Sequence, residues 1–205
     1  MANPVSRFMS SAAVSSVGVL LLVVCCGPSP LESQDAKTPA QPVSLNAALV
    51  LTPEFCATKS KKGTWMINQE TFPVGKVACQ ELEPIIKTAF TSLKRVEDSS
   101  AAGSSQLVLT PRFVDIGATQ KALAFSNREL TVVIEWTARD PSGKTIWIET
   151  IEGSAKRHMG NAFTHGSNVK RIVEGSVKDA AEQAVAKLEA SPEISKLAVG
   201  TKPAQ

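Results

Sequence analysis

Leu130-Thr-Val-Val-Ile-Glu-Trp-Thr-Ala-Arg-Asp-Pro-Ser-Gly-Lys-Thr-Ile-Trp-Ile-Glu-Thr-Ile151 spells two strands and the turn between them. Leu130, Val132, Ile134 and Trp136 fall on one side of an extended chain, with Thr131, Val133 and Glu135 on the other. That alternation is the period of a strand with one buried face. Asp140, Pro141 and Gly143 occupy the first, second and fourth places of a type I turn. Thr145 to Ile151 returns as the second strand, which brings Trp136 and Trp147 near the closed end of the hairpin.

Upstream, Gln106 to Asp115 is apolar on both faces and predicts a central strand, with Pro111 at a bulge or an edge-facing position. Lys94 to Asp98 offers a short strand, and Leu45 to Leu51 a first one, stopped by Thr52-Pro53. Trp65-Met66-Ile67, after the basic loop Thr58 to Gly63, offers another. From Val74 the apolar residues fall at 74, 77, 78, 82, 85, 86, 89, 90 and 93, one face of a 3.6-residue helix. Pro84 lies on its polar side and predicts a kink or a fresh start near Glu83. A last helix is predicted from Val169 to Glu189, with Asn168 as N-cap, Glu174–Lys178 and Lys178–Glu182 pairs on the wet face, and Ser191-Pro192 as its stop. Strand, helix, three or four strands, helix is an α+β order. It predicts an antiparallel-rich sheet of about four to five strands with two amphipathic helices packed on one face.

The predicted domain covers residues 45–199, a length suited to one core. Ahead of it, residues 28–44 are rich in proline and small polar side chains and bury too little to offset the entropy of ordering. They predict a loose tether, and Gly200 to Gln205 a frayed tail. The chain opens with Arg7 and an apolar run from Ala12 to Val24. The run is shorter than the ~20 residues a spanning helix needs, so it is read as an export signal covering residues 1–25.

The close of that signal, Leu22-Val-Val-Cys-Cys-Gly-Pro28, resembles the lipobox at which bacterial lipoproteins are cleaved and acylated on a cysteine. Cys26 is the preferred acylation site over Cys25, because the residue before it, Cys25, is close in size to the serine that lipoboxes accept, whereas Cys25 follows Val24. Residues 26–44 then form a lipidated tether. Gly27 after Cys26 implies the outer membrane under the enterobacterial sorting rule.

Net charge is +3, lowered by one when Arg7 leaves with the signal, too near neutral to imply a nucleic-acid partner. The chain has no Tyr and 5% aromatic residues, which argues against stacking platforms for bases or sugars. Export also allows Cys56 and Cys79 to pair, closing a loop of about 24 residues for roughly 3–4 kcal/mol on the chain-entropy model. Two separate buried thiols are the alternative. With no Cys-x-x-Cys pair, redox catalysis is not expected.

Chemistry is sparse. Gly143-Lys144-Thr145 ends like a phosphate loop, but the position of its first Gly is Ala138 and a strand follows, so it is a turn. No Gly-x-Ser-x-Gly occurs, and the only two histidines are His158 and His165, seven apart without a neighbouring carboxylate or thiol. Catalytic, cofactor and metal residues are therefore expected to be absent. The histidines lie in a polar, glycine-containing stretch bracketed by Lys156, Arg157, Lys170 and Arg171. That stretch is expected to be a surface loop, and these six residues are the candidate partner-binding set, suited to an acidic partner or lipid headgroups.

The chain resembles small bacterial envelope lipoproteins, among them accessory lipoproteins of transport and secretion systems. The likeness is carried by Cys26, the early strand, the helix from Phe72-Pro-Val-Gly-Lys76 to Ala89-Phe-Thr-Ser-Leu-Lys-Arg-Val96, and the hairpin Ile134 to Trp147. It implies a non-enzymatic protein held to a periplasm-facing membrane by a lipid anchor, acting with a protein partner in envelope assembly or transport. The competing expectation is a small envelope hydrolase or metal-binding enzyme using His158 and His165.

Overall fold

In the computed structural model, which describes residues 42–60, 71–120, 127–158 and 165–200, the chain runs through β1 (Val43–Val50), α1 (Pro53–Ala57), α2 (Val74–Ile86), β2 (Phe90–Val96), β3 (Leu107–Gln120), β4 (Asn127–Arg139), β5 (Thr145–His158), α3 (His165–Ala190) and α4 (Pro192–Gly200). These residues belong to one unit, Thr38–Gln205. The sheet order is β2-β1-β3-β4-β5. β1 runs parallel to both of its neighbours, and β3, β4 and β5 form an antiparallel meander. The fold is thus α+β with a mixed, mostly antiparallel sheet. Val77, Leu82 and Ile86 of α2 and Val173, Val177 and Ala181 of α3 share one core with Leu49, Leu109, Ile134 and Trp136, so both long helices cover the same face. A smaller cluster, Ala48, Val50, Val96 and Ala102, sits apart from it, with Val108 against it.

The hairpin forms as the alternation implies. Leu130, Val132, Ile134, Trp136 and Ala138 are buried, and the residues between them are half-buried. In its turn, Gly143 N–H donates to Asp140 O at 2.9 Å, and Asp140 Oδ1 accepts from Ser142 N, Ser142 Oγ and Lys144 N. The Ser142 hydroxyl above all holds the Asp140 carboxyl below its ordinary pKa. Gly143 takes φ +83°, the left-handed conformation that closes such turns.

Several boundaries differ from expectation. β1 begins at Val43 and so takes Val43 and Ser44 from the stretch assigned to the tether. The first helix ends at Ile86 rather than continuing to Leu93, and it carries Pro84 within its last turn instead of restarting at Glu83. Phe90 and Leu93, which fit the helical face, lie in β2, where the edge of β1 supplies Val43 opposite Phe90 and Ala47 opposite Leu93. Tertiary pairing here overrides local periodicity. Pro111 is buried inside β3 opposite Trp136, beyond the last residue paired with β1, Leu109. It needs no donor on that side. The bulge comes later, between Phe113 and Asp115.

α1 and α4 were not anticipated. α1 starts at Pro53 after Thr52, whose hydroxyl accepts from Phe55 N at 3.1 Å. α3 starts at His165, so Asn168 lies within its first turn and is not the cap. Gly166, Ser167 and Asn168 carry no apolar side chain, so the apolar periodicity begins only at Val169, and this hid the true start. Of the predicted helix pairs, Lys178–Glu182 forms at 3.6 Å, while Glu174 binds Lys170 at 3.3 Å rather than Lys178. α3 lies close on β5: a Cβ on Gly153 would be 2.2 Å from Ser176 O and 2.4 Å from Ala180 N. The strand suggested at Trp65-Met66-Ile67 lies outside the described residues.

Candidate functional site

Lys156, Arg157 and His158 do not belong to a loop. They are the last three residues of β5, paired in register with Glu129, Arg128 and Asn127 of β4. The alternation that marks Thr145 to Ile151 as a strand simply continues, and the charges at its end disguise it. Lys170 and Arg171 stand in the opening turns of α3, within the helix expected from Val169. Residues 159–164 and the side chain of His165 lie outside the described residues, so the structure gives no geometry between His158 and His165. Among the described residues no group of three or more His, Cys, Asp or Glu is placed to hold a metal.

Strand and helix converge. α3 runs back over β5, with a Cβ on Gly153 meeting Ser176 and Ala180 and one on Gly175 meeting Ala155. Following the same course, β5 rises ~3.3 Å and α3 ~1.5 Å per residue, so the first turns of α3 reach the end of β5. This end of the sheet is therefore basic, though unevenly. Lys156 pairs with Glu129 at 3.1 Å and Lys170 with Glu174 at 3.3 Å. Arg157 and Arg171 are exposed and meet no carboxylate among the described residues.

Arg128 adds to this end and was not anticipated. It is only 8% exposed, directly across from Arg157, and follows the even-numbered pattern of Leu130 to Trp136. Extending that pattern by one step would have placed it on the core-facing side. Asp179 and Gln183 of α3 were also missed. Asp179 Oδ2 accepts from Ser154 N at 2.8 Å, and Gln183 Nε2 donates to Glu152 O at 2.8 Å. Nothing in the spacing of these two residues signals a bond to a strand, since the bonds exist only because α3 lies along the outer edge of β5.

Cys56 and Cys79 are joined in a disulfide that ties α1 to α2, with a Cα–Cα distance of 5.7 Å. Arg95 Nη1 donates to Cys79 O at 3.0 Å. Cys25 and Cys26 lie outside the described residues. Among the described residues no helix is long and apolar enough to cross a membrane.

No protein-family model matches the chain, and no curated protein matches it in sequence. Solved structures do resemble it. A Xanthomonas campestris protein of the DUF330 family superposes with TM-score 0.51 at 8% identity, over 75% of this chain and 89% of that one. A minor lipoprotein from Acinetobacter baumannii has TM-score 0.44 at 12% identity, over 73% and 93%. A PelC dodecamer from Paraburkholderia phytofirmans has TM-score 0.33 at 12% identity, over 69% and 92%. At 8% identity the likeness to the Xanthomonas campestris protein is one of fold alone.

Proposed function

We propose that the chain is an exported lipoprotein, acylated on Cys26 and facing the periplasm from the outer membrane, that acts without catalysis of its own as a partner-binding accessory of envelope assembly or transport. The observation that carries the reading is the exposed pair Arg157 and Arg171, which meet no carboxylate among the described residues, at the end of a sheet strand and its covering helix. Charges held by regular elements are positioned for recognition without a backbone ordering cost at binding. The lipobox-like Cys26 and proline-rich tether supply the address, and the minor lipoprotein of Acinetobacter baumannii is in keeping with it.

Two measurements test this. Mass spectrometry of the mature N-terminus is expected to show acyl chains, lost in Cys26→Ser and kept in Cys25→Ser. An unacylated mature chain removes the anchor. Crosslinking in native envelopes is expected to trap a partner, and replacing Lys156, Arg157, Lys170 and Arg171 with Gln is expected to abolish trapping at little cost to thermal stability, because exposed charges contribute little to it. Trapping that survives all four changes overturns the binding surface.

A further inference from the structure

We propose that the terminal residues of β5 bind a short, extended, acidic segment of a partner protein as an added strand. The inference rests on the partner-binding reading above and names the partner's chemistry. β5 is the last strand in the sheet order, so one of its edges has no strand beside it. Such an edge offers its backbone to any extended chain unless something covers it. α3 covers the middle: Asp179 takes the N–H of Ser154 and Gln183 takes the carbonyl of Glu152. Outward-directed backbone groups alternate along an antiparallel strand. The N–H groups of Lys156 and His158 therefore point the same way as that of Ser154, and no described residue bonds to them. Among the described residues, the cover stops where the basic residues begin.

Backbone and charge coincide at that point. The covered part of the strand carries Glu152 beside Asp179, with Glu149 paired to Lys187 at 2.9 Å, whereas the part without described cover carries Lys156, Arg157 and His158, with Arg171 in the opening turns of α3. An acidic segment is repelled along the covered part and drawn to the open part. The Arg157 and Arg171 guanidinium groups suit carboxylates in two-point contact. The ion pairs of Lys156 with Glu129 and Lys170 with Glu174 are exposed and exchange readily. Strand addition needs a partner with a peptide backbone, which lipid headgroups and polysaccharides lack. Placement agrees. The chain enters the sheet at Val43, near the start of β3, whereas the basic residues lie level with the end of β3. The two ends are separated by roughly 50 Å at ~3.3 Å per residue, so a chain anchored through Cys26 and entering the sheet at Val43 is expected to present the basic end away from the anchoring leaflet.

The test uses the full lipoprotein in detergent and a fluorescent, end-blocked hexapeptide of alternating Glu and Thr, read by anisotropy. The peptide is expected to bind, and both its Gln–Thr counterpart and a version N-methylated on alternate backbone nitrogens are expected to bind about tenfold or more weakly. The double change Arg157→Gln and Arg171→Gln is expected to weaken binding similarly with circular dichroism unchanged. If that variant folds poorly, Arg157→Glu with Arg171→Glu must instead switch preference to a Lys–Thr hexapeptide. Absence of peptide binding, indifference to N-methylation, or displacement of the peptide by phosphatidylglycerol vesicles overturns the inference. Failure of the peptide while envelope crosslinking still depends on the four cations removes strand addition alone. Crosslinking that ignores those cations removes the parent reading.

Discussion

A methyl group at Gly75 would sit 2.1 Å from Phe55 O and 2.8 Å from Cys56 O, both backbone atoms that have no rotamer to yield. α1 and α2 touch there, and the Cys56–Cys79 bond holds them at that separation. Gly75→Ala is therefore expected to destabilise the fold by about 1–3 kcal/mol, as overpacking does elsewhere. Urea denaturation would check it, and an unchanged midpoint would show that the two helices can part. Residue-level features were legible in the sequence where their cause is local. Asp140-Pro-Ser-Gly143 contains its own turn geometry, whereas the Cys56–Cys79 bond was one of two expectations the sequence allowed, beside two separate buried thiols. Gly75 looked like any other glycine because its constraint comes from α1, which nothing in the strand-then-loop reading supplied. Arg128 was missed although the alternation of Leu130 to Trp136, extended by one step, puts it on the core-facing side.

At the scale of elements, strands with one buried face were readable because their period is intrinsic, whereas boundaries set by a neighbouring strand or helix were not. The end of α2 shows this, since Phe90 and Leu93 suit a helix face as well as β2, and only the open edge of β1 decides between them. β5 shows it again from the other side. Its outer edge is made safe by Asp179 and Gln183, which answer backbone groups that a second copy of the chain would otherwise pair. The double change Asp179→Ala and Gln183→Ala is expected to free the Ser154 N–H and the Glu152 carbonyl and to promote edge-to-edge association with little loss of α3, because Val173, Val177, Ala180 and Ala184 keep it on the sheet. Light scattering across a concentration series reads this directly. A double variant that stays at the parent's mass would mean the strand's twist and charges already protect the edge.

For the whole molecule, the order of strands and the direction of β1 give the domain two distinct ends. The turn at Asp140 to Lys144 lies near the end where the chain enters, since Ala48 pairs with Val108 and Val108 with Arg139. The basic residues of β5 lie at the other end. This polarity could not be derived from sequence, because local patterns name strands without saying which neighbours are parallel. It has a consequence for a lipid-anchored chain. Under the acylation proposed at Cys26, the domain is attached through its entry at Val43, so the entry end is expected to lie nearer the bilayer than the basic end. With the protein anchored in liposomes, a fluorophore on Cys introduced at Ser142 is expected to be quenched more strongly by a headgroup-borne quencher than one introduced at Arg157. Equal quenching would mean that the sheet lies flat along the membrane, and the basic end would then be available to headgroups after all. Stronger quenching at position 157 would reverse the orientation and remove the geometric reason for preferring a protein partner over the anchoring membrane.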